Sequence, residues 1–329
     1  MKAPLALSMG DPAGIGPEIC VKALATDGLA ADVVVVGDLR SLQRSVEDLG
    51  LAVTLHAIER ISDRACAPDV IDVLTVGRLA DVPVGQVSAA SGAAAFRYIE
   101  HAVERILDGE LRGLVTAPIN KEALSAAGIA YPGHTEMLAS LAGVEHVAMM
   151  LYNDELRVVL VTVHVSLRNA IQLLDLGAEL RAIRMAASIG PALGFDQPRI
   201  AVAGLNPHAS EGGMFGAEEQ AIIAPAIKAA RAEGIDASGP WPGDTVFMRA
   251  RQGDFDLVVA QYHDQGLIPV KYLGLDKGVN VTLGLPFVRT SVDHGTAFAI
   301  AGQGLASAAS LIAAIRAAGE LTAFRSVFT

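Results

Sequence analysis

Short apolar runs alternate with longer helical patterns along most of this chain, and this alternation constrains the fold more than any other feature. The apolar runs are too short for buried helices, and the stretches between them carry polar residues at helical spacing, as in residues 88–107, 177–189 and 218–233. Apolar strands alternating with amphipathic helices indicate a largely parallel sheet covered on both faces, which is an α/β fold. The predicted strands are residues 5–9, 33–36, 113–116, 147–151, 158–163, 200–203, 257–260 and 279–283.

The length of the chain indicates two lobes. A chain of 329 residues exceeds the usual size of one hydrophobic core. The strand pattern is lost near residues 126–133 and again near Asp293. We therefore expect an outer α/β domain of residues 1–125 plus 295–329, and an inserted α/β domain of residues 126–294.

The charge balance argues against binding to nucleic acid or to an anionic membrane. Lys and Arg total 25 and Asp and Glu total 36, so the formal net charge is −11, and the basic residues are scattered. No segment reaches the roughly 20 apolar residues that span a bilayer. Cys20 and Cys66 lack the spacing of a metal or redox pair, which favours a reducing cytoplasm.

Three histidines each follow a strand-like run: His164 in TVHVSLR, His208 in GLNPHASEGG and His263 in AQYHDQGLIPVK. Strand ends in an α/β fold point toward one crevice, so these imidazoles can converge on one ion. Three neutral nitrogens leave coordination positions open, as in a catalytic metal site. Asp264 stands beside His263 and can orient its ring. The alternative is three unrelated histidines, each hydrogen-bonded locally.

Two strand-to-helix turns and one helix start are rich in polar groups. Residues 10–18, GDPAGIGPE, can bind an anion at the start of a helix, but they lack the third glycine or alanine of a Rossmann fingerprint. Lys121 ends the second turn and can face solvent or a ligand. In residues 131–136, His134 and Thr135 can bind a polar substrate, although Thr135 can instead cap the helix.

Lys271, Asn280 and Arg289 recur within a short stretch, separated by apolar runs. A bound carboxylate or phosphate needs such cationic and amide donors. Solvent exposure is the alternative for the two cations, but the apolar neighbours of Asn280 and Arg289 argue against it.

Together these segments resemble the 4-hydroxythreonine-4-phosphate dehydrogenase family of pyridoxal phosphate biosynthesis. The matching stretches run in the family's order from Gly10 to Phe298: GDPAGIGPE, GHTE, GLNPHASEGG, DTVF, YHDQGLIPVK and GVNVTLGLPFVRTSVDHGTAF. The resemblance implies a homodimer with a shared, NAD(P)-linked, divalent-metal site (Zn, Co or Mg). It also implies a cleft between two lobes in an α/β/α architecture like that of the isocitrate and isopropylmalate dehydrogenases, not a Rossmann fold.

The resemblance also implies roles for individual residues. The family's metal ligands fall on His164, His208 and His263, with His263 contributed by the partner subunit. Its substrate contacts fall on His134, Thr135, Lys271, Asn280 and Arg289. The segment HGTAFAIAG resembles the adenosine loop of isopropylmalate dehydrogenases, which points to Gly295, Thr296 and Ala299 as cofactor contacts.

Two departures bear on the substrate. Ala299 replaces the acidic residue of the adenosine loop, and Ser210 together with the turn APIN resembles paralogous branches. Those paralogues oxidise D-threonate or D-erythronate 4-phosphate, or a terephthalate cis-dihydrodiol. The expected reaction is metal-assisted hydride transfer from a small phosphorylated hydroxy acid, 4-phosphohydroxy-L-threonine first, followed by decarboxylation to 3-amino-2-oxopropyl phosphate.

The candidates for proton transfer are Lys271 and Asp244, in that order. A metal-dependent hydrolase using the same histidines is a competing hypothesis, against which the adenosine-like loop argues. A non-catalytic binding protein is another, although competent residues fill every metal and substrate position.

Overall fold

A computed structural model describes residues 2–26, 28–77, 79, 81–131, 133–274 and 278–323. Pro132 of the turn 131–136 and residues 324–329 of the expected outer domain lie outside the described residues. The strands are β1 Leu5–Ser8, β2 Val33–Gly37, β3 Thr54–Ile58, β4 Val70–Thr75, β5 Gly113–Thr116, β6 Ala148–Tyr152, β7 Arg157–Leu160, β8 Ile200–Ala203, β9 Ala237–Trp241, β10 Leu257–Ala260, β11 Val279–Leu283 and β12 Val288–Ser291.

The helices lie between the strands, as the alternating pattern predicts. They are α1 Gly16–Leu24, α2 Leu39–Leu49, α3 Ala89–Leu107, α4 Lys121–Ala126, α5 His134–Ala142, α6 Leu167–Leu173, α7 Leu176–Ile189, α8 Ala224–Ala232, α9 Val246–Arg251, α10 His263–Tyr272 and α11 Ala309–Leu321. A π-helical turn, Glu219–Ile223, precedes α8. No helix in the described ranges is both long and apolar enough to span a membrane.

Contacts divide the chain into two compact units. The first comprises Met1–Val147 and Leu285–Thr322, and Ala148–Gly284 form the body of the second. Residues 126–147 and 285–294, which we expected in the inserted domain, belong to the first unit. In the first unit, strands run in the order β3-β4-β2-β1-β5-β12, and every neighbouring pair is parallel.

The second unit has the strand order β11-β6-β7-β10-β8-β9. Strand β6 is antiparallel to both neighbours, and the remaining pairs are parallel. One sheet face, with Val158, Leu160 and Ala260, packs against Leu267 and Val270 of α10. The other face packs against α7. The expected α/β fold, with its largely parallel strands, is confirmed.

Four strands, β3, β4, β9 and β12, were not predicted from the sequence. Strand β3 has a single buried residue, Ile58, and β9 contains Gly239 and Pro240, so neither forms an apolar run. Strands β4 and β12 are interrupted by the buried polar side chains of Asp72 and Arg289. Their burial depends on partners elsewhere in the fold, which a local pattern does not contain.

Candidate active site

His164 and His263 lie side by side. His164 follows β7 and His263 opens α10 directly after β10, and these two strands are parallel neighbours with Leu160 opposite Ala260. Because the carboxyl ends of paired parallel strands meet, the two imidazoles are brought together. Their ring centroids are 5.8 Å apart, with an angle of 43° between the ring planes.

The orientation of His263 depends on Asp264 and Gly266. The Asp264 carboxylate lies 2.7 Å from His263 Nδ1, so a proton on Nδ1 leaves Nε2 as the lone-pair nitrogen that a metal needs. At Gly266, a Cβ would lie 2.5 Å from Leu160 Cδ2 and 2.9 Å from Val158 Cγ1. Only glycine therefore lets the first turn of α10 approach the sheet this closely.

His208 lies in a strained turn after β8. Residues 208–212 all have positive φ, from 46° to 71°, a conformation that non-glycine residues rarely adopt. The turn is held by Asn206, whose N–H donates to Glu219 Oε1 at 2.7 Å and whose side-chain amide donates to Glu218. The imidazole itself is exposed. Stored strain of this kind is typical of functional turns, which fits a role for His208.

The three histidines do not form one ligand group within a single chain. Among the described residues, no set of three or more His, Cys, Asp or Glu side chains is arranged to hold a metal ion. His208 lines a cavity of about 810 Å³ with Asp244, whereas His164 and His263 line another of about 460 Å³. Asp264 lines both. The paired imidazoles, with Asp264 on one of them, fit two positions of a divalent ion, and a third donor must come from elsewhere.

Arg289 is a buried cation on β12. Its side chain is 2% exposed, and its Nη2 donates a hydrogen bond of 2.6 Å to Thr116 Oγ1 at the end of the neighbouring strand β5. Burial lowers the pKa of Arg289 to about 9, so the guanidinium remains charged at neutral pH. A fixed, desolvated guanidinium is suited to binding a carboxylate or phosphate.

His134 is the first residue of α5 and lies in the same unit as Arg289. Burial, assisted by the charges of Arg289 and Lys121, holds the pKa of His134 well below its usual value, so the imidazole is neutral. Its Nε2 is buried and has no hydrogen-bond partner among the described residues. With Thr116, Ser291 and His294, it lines a small polar cavity of about 80 Å³. An unsatisfied buried nitrogen facing a polar cavity is suited to hydrogen-bonding a ligand oxygen.

The remaining substrate and proton-transfer candidates lie at separate places. Thr135 is partly buried in the first turn of α5, whose N-cap is Gly133 with no side-chain cap, so Thr135 is not the capping residue. Asn280 pairs with Leu151 across β11 and β6. Lys271 lies in the last turn of α10, about 12 Å along the helix axis from His263. Asp244, in contrast, shares the larger cavity with His208.

The adenosine-like loop packs against the N-terminal glycine turn. Ile15 N–H donates to the Thr296 carbonyl at 3.0 Å, and a Cβ on Gly14 would lie 2.9 Å from Thr296 Cβ. Gly14 thus allows the close approach of the two loops. Gly295 has open space where a Cβ would stand, and Ala299 is exposed, so this loop offers a surface that a dinucleotide can contact.

Several polar residues near these groups were missed by the sequence analysis. Thr116 and Ser291 are the last residues of β5 and β12, and His294 follows β12 by three residues. Gln261 directly follows β10, and Gln265 lies in the first turn of α10. Glu179 is completely buried on α7, and an acid in an amphipathic helix pattern normally indicates a solvent-facing position.

Comparisons with known proteins agree with the motifs. Residues 29–318 match the family described as pyridoxal phosphate biosynthetic protein PdxA. The 4-hydroxythreonine-4-phosphate dehydrogenase of Beijerinckia indica is 60% identical over 309 residues, which cover 94% of this chain and 92% of the relative. The D-threonate 4-phosphate dehydrogenase of Cupriavidus necator is 48% identical over 325 residues, covering 98% of each. The crystal structure of 4-hydroxythreonine-4-phosphate dehydrogenase from Klebsiella pneumoniae has a TM-score of 0.92 at 46% identity and covers 98% of both chains.

Proposed function

This chain belongs to the PdxA family of pyridoxal phosphate biosynthetic proteins and is a dehydrogenase, and we propose that it oxidises 4-phosphohydroxy-L-threonine. The acceptor is NAD or NADP, the product after decarboxylation is 3-amino-2-oxopropyl phosphate, and the pathway is that of pyridoxine 5′-phosphate. The observation that carries the proposal is the pairing of His164 with His263, 5.8 Å apart, beside the Asp264 carboxylate.

The metal ligands are the three histidines, in a homodimer that shares its sites. When bound, a divalent ion such as Zn, Co or Mg lowers the pKa of a coordinated hydroxyl. The resemblance to the family implied that the partner contributes His263. The pairing of His164 with His263 within one chain favours a different division, in which the partner contributes His208.

The anionic groups of the substrate are bound by His134, Thr135 and Arg289, together with Lys271 and Asn280. Neutral His134 supplies one donor and one acceptor nitrogen, so it can accept a hydrogen bond from a substrate hydroxyl or donate one to a phosphate oxygen. The Arg289 guanidinium supplies the positive charge. A hydrogen bond to Thr116 fixes one edge of the planar Arg289 guanidinium, so the cation is already oriented when the substrate binds.

In the oxidation, the carbinol C–H bond breaks and its electron pair goes as hydride to C4 of the nicotinamide. The hydroxyl proton leaves to a base of the chain, for which Asp244 and Lys271 are the candidates. The 3-keto acid then loses CO₂, and the carbanion takes up a proton at the same carbon. Asp244 has the better position within one chain, since it shares a cavity with His208.

Gly295, Thr296 and Ala299 contact the nicotinamide dinucleotide in this proposal. The open position at Gly295 and the exposure of Ala299 support it. We place the reaction in a reducing cytoplasm, which the free thiols of Cys20 and Cys66 fit.

A second candidate substrate is D-threonate 4-phosphate, with D-erythronate 4-phosphate as its epimer. Its support is the 48% identity over nearly the full length of the D-threonate 4-phosphate dehydrogenase of Cupriavidus necator. Ser210, within the strained turn that carries His208, is the local departure that favours it. A terephthalate cis-dihydrodiol is the third candidate substrate, and it lacks the phosphate that the Arg289 region would bind.

A turnover panel tests the proposal. Absorbance at 340 nm is followed with NAD and with NADP for 4-phosphohydroxy-L-threonine, the two sugar-acid phosphates and the dihydrodiol, each with and without added Zn, Co or Mg. We expect the largest kcat/KM for 4-phosphohydroxy-L-threonine and none in chelator-treated protein. A larger value for D-threonate 4-phosphate would assign the chain to that branch, and turnover without metal would refute the role of the histidines.

A further inference from the structure

Gln261 joins the ends of the strands that carry the three histidines. It follows β10, is fully buried, and precedes His263 by two residues. Its side-chain amide donates to the Ala203 carbonyl at the end of β8 at 2.8 Å. Its own carbonyl accepts from Thr162 Oγ1 at 2.8 Å, and Thr162 precedes His164 by two residues. One side chain and one backbone carbonyl thus connect β7, β8 and β10.

Gln265 extends this connection into α10. Its Oε1 accepts from the Gln261 N–H at 2.7 Å, and its Nε2 donates to the Gly204 carbonyl at 2.7 Å. Gly204 begins the turn that leads to His208. We call Thr162, Gln261, Gln265 and the carbonyls of Ala203 and Gly204 the strand-end cluster. Any shift of this cluster moves the starting points of all three histidine segments.

Glu179 is the buried group behind this cluster. It lies on α7, which packs against β7, β8 and β10, and its side chain is 0% exposed. Burial raises the pKa of Glu179 to about 8, and its polar neighbour Gln261 offsets part of this rise. Neither Glu179 oxygen has a partner at full hydrogen-bond geometry, and Gln261 Oε1 also lacks one.

The protonation state decides whether these two side chains attract or repel each other. One N–H of the Gln261 amide is engaged with the Ala203 carbonyl, and its Oε1 is buried with no hydrogen-bond partner among the described residues. A carboxylate facing an amide oxygen would place two acceptors together, whereas a neutral acid can donate its O–H to that oxygen. In this buried environment the donating arrangement satisfies both groups.

We propose that Glu179 is a neutral acid that donates a hydrogen bond to Gln261 Oε1 and so positions the strand-end cluster from which the histidine segments project. Glu179 touches no substrate and holds no metal; it acts through Gln261. Its effect on metal binding rests on the proposed function, whereas its effect on the cluster does not.

Three variants test this role. Glu179→Gln keeps a neutral donor of the same shape, and Glu179→Leu keeps the volume but removes the donor. Ile183→Ala is the matched control, because Ile183 is a fully buried residue one turn later on α7 whose loss weakens the core without removing a polar group. Two readouts are used: hydrogen exchange of the 261–266 amides in metal-free protein, and Co²⁺ affinity.

We expect Glu179→Leu to speed exchange of the Gln261 amide about tenfold, because that amide reports the bond to Gln265. Co²⁺ affinity should fall by roughly tenfold, which is the usual loss when a residue that supports the metal ligands is removed. Glu179→Gln should restore both. Ile183→Ala should lower the Tm while leaving Co²⁺ affinity within about twofold of wild type.

The proposal is overturned if Glu179→Leu leaves exchange at Gln261 unchanged, or if Glu179→Gln is as impaired as Glu179→Leu. It is also overturned if Ile183→Ala produces the same loss of Co²⁺ affinity, since general destabilisation then explains the effect. Wild-type protein that binds no Co²⁺ would refute the metal assignment instead, and the exchange measurement would still decide whether Glu179 holds the cluster.

Discussion

Arg289 Nη2 donates to Thr116 Oγ1 at 2.6 Å across the neighbouring strands β12 and β5. The bond fixes a buried cation at the end of a parallel sheet, in the same unit as the neutral His134. Charge and a preset orientation are therefore both available to an anionic substrate before it binds.

Arg289→Ala is expected to lower kcat/KM for the phosphorylated substrate. The loss should correspond to roughly 2–3 kcal/mol of transition-state stabilisation, the range for charge-assisted hydrogen bonds in a desolvated site. Thr116→Val should cost about 1 kcal/mol, because the cation remains but is no longer oriented. NAD affinity and Tm are measured in parallel. Equal losses toward substrate and NAD would reassign Arg289 to the cofactor or to the fold.

Mixing inactive variants decides which histidine the partner contributes. If His164 and His263 come from one chain and His208 from the other, His164→Ala mixed with His208→Ala should recover activity, because one site of each heterodimer is intact. His164→Ala mixed with His263→Ala should stay inactive. The opposite pattern would return His263 to the partner subunit. Native mass spectrometry confirms that subunits have exchanged.

Stability should depend on pH through Glu179. Its pKa is about 8 when folded and near 4.5 in the unfolded chain, so the folded state holds a proton that the unfolded state has lost between these values. The contribution of Glu179 is fully present below pH 4.5 and is lost as pH rises toward 8, at about 1.4 kcal/mol per pH unit. Glu179→Gln should lack this slope. Denaturant unfolding of both proteins at several pH values measures it, and parallel curves would show that Glu179 is ionised in the folded state.

Because Ala299 carries no charge, we expect only a small difference in kcat/KM between NAD and NADP. It is exposed on the adenosine-like loop, where an acidic side chain would repel a 2′-phosphate. Ala299→Asp is expected to shift the ratio of kcat/KM toward NAD by roughly 1–2 kcal/mol. Ala299→Asn is the uncharged control. An unchanged ratio in Ala299→Asp would place the side chain away from the cofactor.

The α/β class, the family and most of the strands were available from the sequence alone. Buried parallel strands are continuous apolar runs, so their pattern is local, and long motifs such as YHDQGLIPVK keep their identity without coordinates. The polar turns after β7, β8 and β10 likewise marked His164, His208 and His263 before any geometry was known.

Only the tertiary structure decided how those residues meet. The pairing of β7 with β10 puts His164 beside His263, and no local pattern contains the order of strands in a sheet. Strand β8 also pairs with β10, but the turn that follows β8 carries His208 into a separate cavity. The burial of Glu179 and Arg289 is also a tertiary property, because each side chain is desolvated by elements distant in sequence. The sequence therefore determined which chemical groups the chain offers, whereas packing determined their charge states and their neighbours.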